Sequence, residues 1–281
     1  MRVLVVGCGY VGQPLAEKLA EAGHEVFGLS RKPPEFGARV VPIACDITRG
    51  DELKRVPPAY DAVINTASSS KGGVEEYGAV YLGGARHLLA HLRFQKYIWT
   101  GSTSVYAQGD GVVVTEESPA EPTSATSRIL RETEDLLLQG GQGIILRLAG
   151  IYGPDRGHLF QQYLRGEARM HGGGGRWLNM IHREDAVGAI MAALKTARAG
   201  EIYNVTDDEP VTERDFFMWL AKRLRRELPP VVPEAELAGR KRGATSKRVS
   251  NRKLREQLDY ALVYPTFREG YRREISRLGL V

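Results

Sequence analysis

The chain has 281 residues, of which 42% are apolar and 26% charged, and a formal net charge of +5. This size allows one large globular domain, or one domain with an appended lobe, with enough apolar residues for a core. The longest apolar runs, such as VLVV at 3–6 and GIIL at 143–146, are too short to cross a bilayer. Because Met1 and Arg2 lead straight into a strand pattern, we expect no signal peptide and a cytoplasmic protein.

The two cysteines, Cys8 and Cys45, lie at predicted strand ends. Two thiols do not make a disulfide framework, which favours a reducing compartment. We interpret Cys8 as a small buried hydrophobe rather than as a reactive thiol. No metal site is predicted.

The positive excess is concentrated in the C-terminal third, where the basic residues face few acids in the sequence. A solvated basic surface is the preferred interpretation, and nucleic-acid binding is not favoured because no nucleic-acid motif accompanies the charge. The residues concerned are Lys222, Arg223, Arg225, Arg226, Arg240, Lys241, Arg242, Lys247, Arg248, Arg252, Lys253 and Arg255.

Short β-branched runs alternate with helical stretches over the first two-thirds of the chain. Several runs are apolar at consecutive positions, as expected for strands covered by helices on both faces. The helix GQPLAEKLAEAG has Pro14 in its first turn and Gly23 as a stop. The pattern predicts an α/β fold, a doubly wound parallel sheet of the Rossmann type. The predicted strands are 2–7, 25–30, 40–45, 61–67, 96–101, 143–150 and 201–205.

After residue 152 the alternation loosens. We predict a nucleotide-binding domain over 1–152, to which a strand at 201–206 returns, and a smaller C-terminal lobe for substrate over most of 153–281. Within the lobe, HGGGG at 171–175 is predicted to be a flexible loop. Thr212 is predicted to cap the amphipathic helix that follows it.

The strongest short motif is VLVVGCGYVGQPL, in which Gly7, Gly9 and Gly12 form G-x-G-x-x-G between a strand and a helix. Glycines at these positions permit a tight turn, close approach of a diphosphate and close packing of helix on strand. The motif predicts dinucleotide binding, with Tyr10 and Val11 also in the binding loop.

The end of the second strand distinguishes NAD from NADP. An NAD-binding protein normally has Asp or Glu there to accept from the ribose 2′-hydroxyl. Here Ser30 holds that place and is followed by Arg31 and Lys32. Arginine can hold a 2′-phosphate through two hydrogen bonds, so NADP is preferred over NAD, unless the two cations are only solvated loop residues.

Two further strand ends should border the coenzyme. Asp46 and Ile47, after the third strand, are placed to touch the adenine. Ala67 and Ser68, after the fourth, are placed to flank the phosphate and ribose.

Several segments, in order, resemble the landmarks of the extended short-chain dehydrogenases/reductases, the NAD(P)-dependent epimerase/dehydratase family. They are YIWTGSTSVYAQG, TEESPAEPTSATS, ILRLAGIYGPDR, LNMIHREDAVGAIMAAL, GEIYNVTDDEPVT and VSNRKLREQLDYALVYPTFREGY. The resemblance covers nearly the whole chain and implies an oxidoreductase or epimerase-like enzyme acting on a nucleotide sugar. It also implies a homodimer through the family's fourth and fifth helices.

The family's reaction uses a Ser or Thr and a Tyr-x-x-x-Lys pair. The serine is matched by Ser102, but Thr126 stands at the tyrosine's place and Leu130 at the lysine's. A threonine hydroxyl does not ionise near neutral pH and leucine has no charge, so the usual general acid/base is missing. Glu134 matches an acidic residue common in the family. The chain thus resembles the family's atypical members, in which coenzyme binding is expected and activity is often unassigned.

Smaller departures accompany this loss. The glycine motif is one residue shorter than the family's usual form, and Tyr81 lies where Asn is common.

Other side chains near the same cleft are candidates for the missing acid or for substrate contacts. Tyr106 and His182 are candidate catalytic residues, although structural roles are preferred for each. Arg147, Tyr152 and Asn179 are candidate substrate contacts; Arg147 alternatively pairs with a carboxylate, and Tyr152 alternatively belongs to the scaffold. Arg131 could hold phosphate but is more simply a solvent-facing arginine.

Three hypotheses therefore compete. The first is an NADP-dependent oxidoreductase or epimerase-like enzyme with a non-standard acid and a small-molecule substrate. The second is a catalytically inactive NADP-binding sensor or regulator. The third, a nucleic-acid-binding protein, depends on charge alone. The retained Ser102 favours the enzyme, whereas Thr126 and Leu130 favour the sensor.

Overall fold

The computed structural model describes residues 1–70, 72–233 and 245–280. The strands are β1 Arg2–Val6, β2 Glu25–Ser30, β3 Val40–Ala44, β4 Ala62–Asn65, β5 Lys96–Ser102, β6 Val113–Val114, β7 Gly143–Leu148, β8 Gly150–Tyr152, β9 Met170–His171, β10 Trp177–Leu178, β11 Met180–His182, β12 Ile202–Val205, β13 Val211–Thr212, β14 Val231–Val232 and β15 Arg248–Val249. The helices are α1 Gly12–Glu21, α2 Val74–Tyr77, α3 Gly84–His91, α4 Ala125–Gln139, α5 His158–Leu164, α6 Arg183–Thr196, α7 Glu213–Leu224, α8 Arg252–Leu258 and α9 Phe267–Arg277.

A parallel sheet forms the centre of the molecule, with strand order β12-β7-β5-β4-β1-β2-β3 over the described residues. The order reverses at β1, so the carboxyl ends of β1 and β4 lie side by side, with Val6 opposite Asn65. In open α/β sheets this switch point is where ligands bind. The prediction of a doubly wound parallel sheet is confirmed.

Apolar side chains fill both faces of this sheet. Val3 and Val5 pack on one side with α1 and α6, whereas Leu4 and Val6 pack on the other with α3. All four side chains are fully buried. This two-sided burial explains why the strands lack alternation in the sequence.

The predicted strand 143–150 is in fact two strands. β7 ends at Leu148, and the chain then leaves the main sheet to form β8, which pairs with β11 in parallel, Gly150 opposite Met180. The apolar run continues through the break because Ile151 packs against the main core and Tyr152 packs in the core of the C-terminal lobe. This continuity hides the change of partner from the sequence pattern.

The C-terminal lobe has its own core of aromatic side chains. Tyr152 stacks on Tyr271 with ring centroids 4.4 Å apart, and Phe216 and Phe267 are fully buried beside them. Thr212 caps α7 as predicted, its hydroxyl accepting from Asp215 N–H. Strand β12 returns to the main sheet, and helix α6 packs against that sheet. Neither element is part of the lobe's core.

The glycine run expected to be flexible forms a short 3₁₀ turn, Gly172–Gly174, and Arg214 donates to the carbonyl of Gly173. Most of the described basic positions are exposed, as the solvated-surface interpretation predicted. Lys247 departs from it because it is buried, while Lys253 pairs with Glu201 at 2.6 Å and Arg255 pairs with Asp208.

The basic positions Arg240, Lys241 and Arg242 lie outside the described residues. Of the helices that the structure describes, not one combines the length and apolar character that crossing a membrane requires.

Candidate coenzyme and substrate site

The glycine loop joins β1 to α1 in a turn that only small residues allow. Gly7 has φ +88°, and a Cβ there would lie 2.4 Å from the Cα of Ala67. A Cβ on Gly12 would lie 2.2 Å from the carbonyl oxygen of Gly7, so the helix could not approach the strand as closely. These two glycines therefore shape the loop and bring the N-terminus of α1 to the switch point.

Gly9 has a different role. It is exposed, and a Cβ added there would meet no atom of the described residues within 4 Å. The space over Gly9 is therefore open at the helix N-terminus, where free N–H groups favour an anion. At the end of β2, the buried hydroxyl of Ser30 lacks a hydrogen-bond partner among the described residues. An open phosphate cradle and an unpaired hydroxyl at the ribose position both fit a dinucleotide.

The other residues predicted to contact the coenzyme differ in their exposure. Arg31 and Lys32 are exposed beyond Ser30, and Ser68 is exposed beyond β4. Tyr10 donates to the carbonyl of Pro154, while Val11 is buried in the core, so any contact of Val11 with coenzyme is through its backbone.

Asp46 is half-buried, whereas the side chain of Ile47 is buried. Asp46 accepts from the backbone and hydroxyl of Thr48, and Ile47 packs against Gly84 of α3. Burial raises the pKa of Asp46, but the Thr48 hydrogen bonds and nearby Arg31 and Arg49 outweigh this and hold the pKa below its usual value. An adenine contact by these two residues stays a prediction.

Both thiols are free and buried. Burial raises the pKa of Cys8 to about 12, which makes it a poor nucleophile at neutral pH.

Ser102 lies in a chain of hydroxyls that joins the end of β5 to the start of α4. Its Oγ accepts from Ser104 N–H, Ser127 Oγ donates to Ser104 Oγ at 3.2 Å, and Ser124 Oγ donates to Ser127 Oγ at 2.9 Å. Thr126 Oγ1 is 3.4 Å from Ser124 Oγ. We call Ser102, Ser104, Ser124, Thr126 and Ser127 the hydroxyl cluster. It can donate and accept hydrogen bonds, but none of its groups titrates near neutral pH.

Leu130 is one helical turn beyond Thr126, as the family's lysine would be. Its side chain is 5% exposed and packs in the core with Trp99 and Leu137. The next residue, Arg131, pairs with Asp135 at 2.6 Å and with Glu134 at 3.4 Å. Position 130 therefore serves packing, and Arg131 is held by carboxylates of its own helix.

A buried polar network lies beneath the hydroxyl cluster. Arg147 donates from Nε and Nη2 to the two carboxylate oxygens of Glu134, at 2.8 and 2.7 Å, and from Nη1 to Tyr106 Oη. Tyr106 Oη donates to Asn204 Oδ1, and Asn204 N–H donates to Glu116.

This network corrects two candidate roles. Tyr106 is fully buried, and burial raises its pKa although Arg147 opposes the shift, so it is not the missing acid. Arg147 is 2% exposed and is held by three hydrogen bonds to Glu134 and Tyr106, so it does not reach a substrate. The carboxylate pairing left open from the sequence is the one observed.

His182 and Tyr152 also have structural roles. His182 is 1% exposed and its Nδ1 accepts from Glu184 N–H at the start of α6. Burial lowers the pKa of His182 to about 4, so the ring is neutral at physiological pH and does not act as an acid there. Tyr152 is 1% exposed between His182 and Tyr271, which removes it from the substrate contacts.

Asn179 holds the C-terminal segment. Its Nδ2 donates to the carbonyl of Lys247 at 2.8 Å, and its Oδ1 accepts from Val249 N–H at 2.7 Å. The amide therefore fixes the backbone on both sides of residue 248, and a substrate contact by Asn179 stays a prediction.

Sequence reasoning missed the contacts that Lys247 and Asn204 make with Tyr106. Lys247 Nζ donates to the carbonyl of Tyr106 at 2.9 Å, from 141 residues away along the chain. Asn204 lies in the middle of an apolar strand pattern. Neither position has a local motif that could have identified it.

Comparison with known proteins identifies the family of this chain. Residues 3–206 match the NAD dependent epimerase/dehydratase family, and the chain belongs to it.

Protein YeeZ of Escherichia coli is 31% identical over 94% of this chain and 96% of its own length. A 3-diazoavenalumate denitrifying reductase of Streptomyces is 29% identical over 98% of this chain and 100% of its own. The dTDP-glucose 4,6-dehydratase DesIV of Streptomyces venezuelae, solved with NAD bound, has a TM-score of 0.82 at 21% identity, covering 98% of this chain and 96% of that one. This last likeness shows the fold alone.

These findings confirm the family resemblance and an NAD(P)-binding, oxidoreductase or epimerase-like protein. They favour the enzyme over the inactive sensor.

Proposed function

We propose that the protein is an NADPH-dependent reductase that passes hydride to an acceptor needing no proton from the protein. The observation that carries this proposal is the hydroxyl cluster beside the buried Leu130, at positions that the sequence resemblance assigns to the family's acid and ammonium. The nearby rings that could have replaced them, Tyr106 and His182, are buried and their pKa values lie away from neutrality.

A sugar epimerase needs a group that takes a hydroxyl proton and returns it. Loss of a positioned general acid/base typically costs about 10²–10⁴ in rate, so epimerisation is poorly supported here. Hydride transfer to a strongly electron-poor carbon has no such requirement. In this scheme the coenzyme supplies the hydride when bound, while Ser102 and Thr126 orient the acceptor by hydrogen bonds.

The name of the Streptomyces relative, a 3-diazoavenalumate denitrifying reductase, is consistent with this scheme, since it describes a reductase that removes nitrogen from a diazo compound. For an aryl diazonium acceptor the balance is simple. The hydride forms the new C–H bond, the C–N bond breaks, and N₂ leaves with that bonding pair, so no proton is consumed. The coenzyme is oxidised and the aryl carbon is reduced.

The preference for NADP belongs to the same proposal. Arg31 and Lys32 are exposed beside Ser30, and no carboxylate holds the position of the ribose acceptor. A cationic loop end favours the 2′-phosphate of NADP over the bare hydroxyl of NAD.

Stereospecific transfer from deuterated coenzyme tests the proposal. NADPH carrying deuterium at C4 on either the R or the S face is mixed with benzenediazonium and the purified chain, and the benzene is analysed by mass spectrometry. We expect deuterium in the product from one face only, with non-enzymatic transfer subtracted by a protein-free reaction.

Equal transfer from both faces contradicts the reductase. Interconversion of UDP-glucose and UDP-galactose by the same preparation supports the epimerase instead.

The lobe formed by α5, α7 and α9 is proposed to cover the acceptor, and a homodimer through the helices of the hydroxyl-cluster side is proposed on family grounds. Sedimentation equilibrium at micromolar concentration tests the dimer, and a monomer would contradict it.

A further inference from the structure

Lys247 is a buried cation whose ammonium pairs with no acidic side chain among the described residues. Its side chain is 5% exposed, and its ammonium donates to two neutral oxygens, the carbonyl of Tyr106 at 2.9 Å and Thr245 Oγ1 at 2.8 Å. An ammonium has three N–H groups, so one remains. Within the described residues no carboxylate forms an ion pair with Lys247.

The position of this ammonium is fixed from two directions. Asn179 holds the backbone on either side of residue 248, and β15 pairs with β6 so that Arg248 is opposite Val113. The side chain then reaches the end of the 3₁₀ turn Thr103–Val105, which Ser102 caps at its beginning. Lys247 and the hydroxyl cluster are therefore attached to the same short turn.

A buried ammonium that meets only neutral oxygens is costly, because neutral dipoles replace its hydration poorly and no opposite charge compensates. The neighbouring cation does not share the location: Arg248 is exposed, donates to the carbonyl of Gly111 and lies over the Trp177 ring at 5.1 Å. One ammonium with one remaining N–H matches a singly charged carboxylate, whereas a phosphate dianion usually gathers several donors.

We propose that Lys247 binds a carboxylate of the substrate, which makes the acceptor an organic acid. This deepens the proposed reductase and rests on it for the identity of the site. In this arrangement the ammonium from the C-terminal segment fixes one end of the acceptor, and the hydroxyl cluster fixes the other. The lysine missing at position 130 is not replaced in its catalytic role, because Lys247 arrives from another direction and holds substrate rather than coenzyme.

Nuclear magnetic resonance on the full chain tests this directly. The protein is labelled with ¹³C at the lysine ε-carbons and saturated with NADP⁺, and the Lys247 signal is identified by its loss in Lys247→Met. Benzoate, its neutral counterpart benzamide, and inorganic phosphate are titrated separately. We expect benzoate to shift the Lys247 signal saturably, and benzamide and phosphate to leave it in place.

Affinity measured on the amide spectrum gives the second readout. Lys247→Met should weaken benzoate binding about 10- to 100-fold, as expected for loss of one hydrogen bond to a charged group. Lys247→Arg should retain part of the affinity. The matched control Arg252→Met removes an exposed cation from the same segment and should bind benzoate like the wild type.

The outcomes separate the two proposals. Unchanged benzoate affinity in Lys247→Met, or saturation of the signal by phosphate but not by benzoate, overturns the carboxylate site. Should Lys247→Met not fold, the ¹³C titration of the wild type decides alone. Coenzyme binding is followed independently by NADPH fluorescence, and its failure with benzoate binding intact overturns the reductase only.

Discussion

Replacement of Arg147 by methionine separates a structural arginine from a substrate-binding one. Met preserves the length of the side chain but leaves Glu134, which is fully buried, with only the more distant Arg131 at 3.4 Å. Removing one partner of a buried ion pair typically costs about 3–5 kcal/mol, because the remaining charge is not compensated. The free energy of unfolding of a domain is about 5–15 kcal/mol, so this loss is easily measured.

Urea unfolding followed by circular dichroism gives the free energy of unfolding for each variant. Arg147→Met should lower it by about 3–5 kcal/mol. The double variant Glu134→Met/Arg147→Met removes both charges and should recover a substantial part of that loss. Arg86→Met, which breaks the exposed pair with Glu132 on the same helix as Glu134, should cost less than about 1 kcal/mol.

A different result would refute the structural role. If Arg147→Met unfolds within about 1 kcal/mol of the wild type, and the Michaelis constant for the acceptor rises instead, the guanidinium contacts substrate and the buried network is misassigned.

Three further predictions concern single side chains. Arg31→Met should weaken NADP⁺ binding about 10-fold or more and leave NAD⁺ binding nearly unchanged by calorimetry; equal losses for both coenzymes would contradict the role of Arg31. In the wild type the unfolded ring of His182 is protonated as the pH falls from 6.5 towards 4, whereas the folded ring, with its pKa near 4, is not, so the free energy of unfolding decreases. His182→Gln should reduce this decrease, and an identical pH dependence in both proteins would contradict a buried neutral ring. Burial lowers the pKa of Lys247 from 10.5 to about 8, so the unfolded chain binds more protons than the folded one between these pH values. As the pH rises from 8 to 10.5, the free energy of unfolding of the wild type should therefore increase by up to about 3 kcal/mol relative to that of Lys247→Met. The same pH dependence in both proteins would contradict this burial.

The parts of the molecule that local sequence determines were predictable. The strands β1, β2 and β5, the stop of α1 at Gly23 and the capping of α7 by Thr212 follow from neighbouring residues. The glycine loop was predictable for the same reason, because a strand, a tight turn and a helix N-terminus occur within a few residues of one another.

The roles of individual polar side chains could not be predicted from the local sequence. Arg147 lies near the end of β7, and Tyr106 follows the 3₁₀ turn after β5; from either position a side chain could face a cleft or the interior. Each side chain faces the interior because of a buried partner: Glu134, 13 residues from Arg147, and Asn204, 98 residues from Tyr106. Lys247 depends on Tyr106 across an even longer separation. Such contacts arise from the folded topology, and no local pattern encodes them.

Coenzyme binding by Gly9→Ala tests the central claim most directly. A Cβ at Gly9 meets no described atom within 4 Å, so the variant should fold with an unchanged urea midpoint. The same Cβ occupies the space proposed for the diphosphate and should weaken NADPH binding about 10-fold or more, equivalent to at least about 1.4 kcal/mol. Calorimetry that finds wild-type affinity in Gly9→Ala, or no binding of either coenzyme to the folded wild type, would contradict the account.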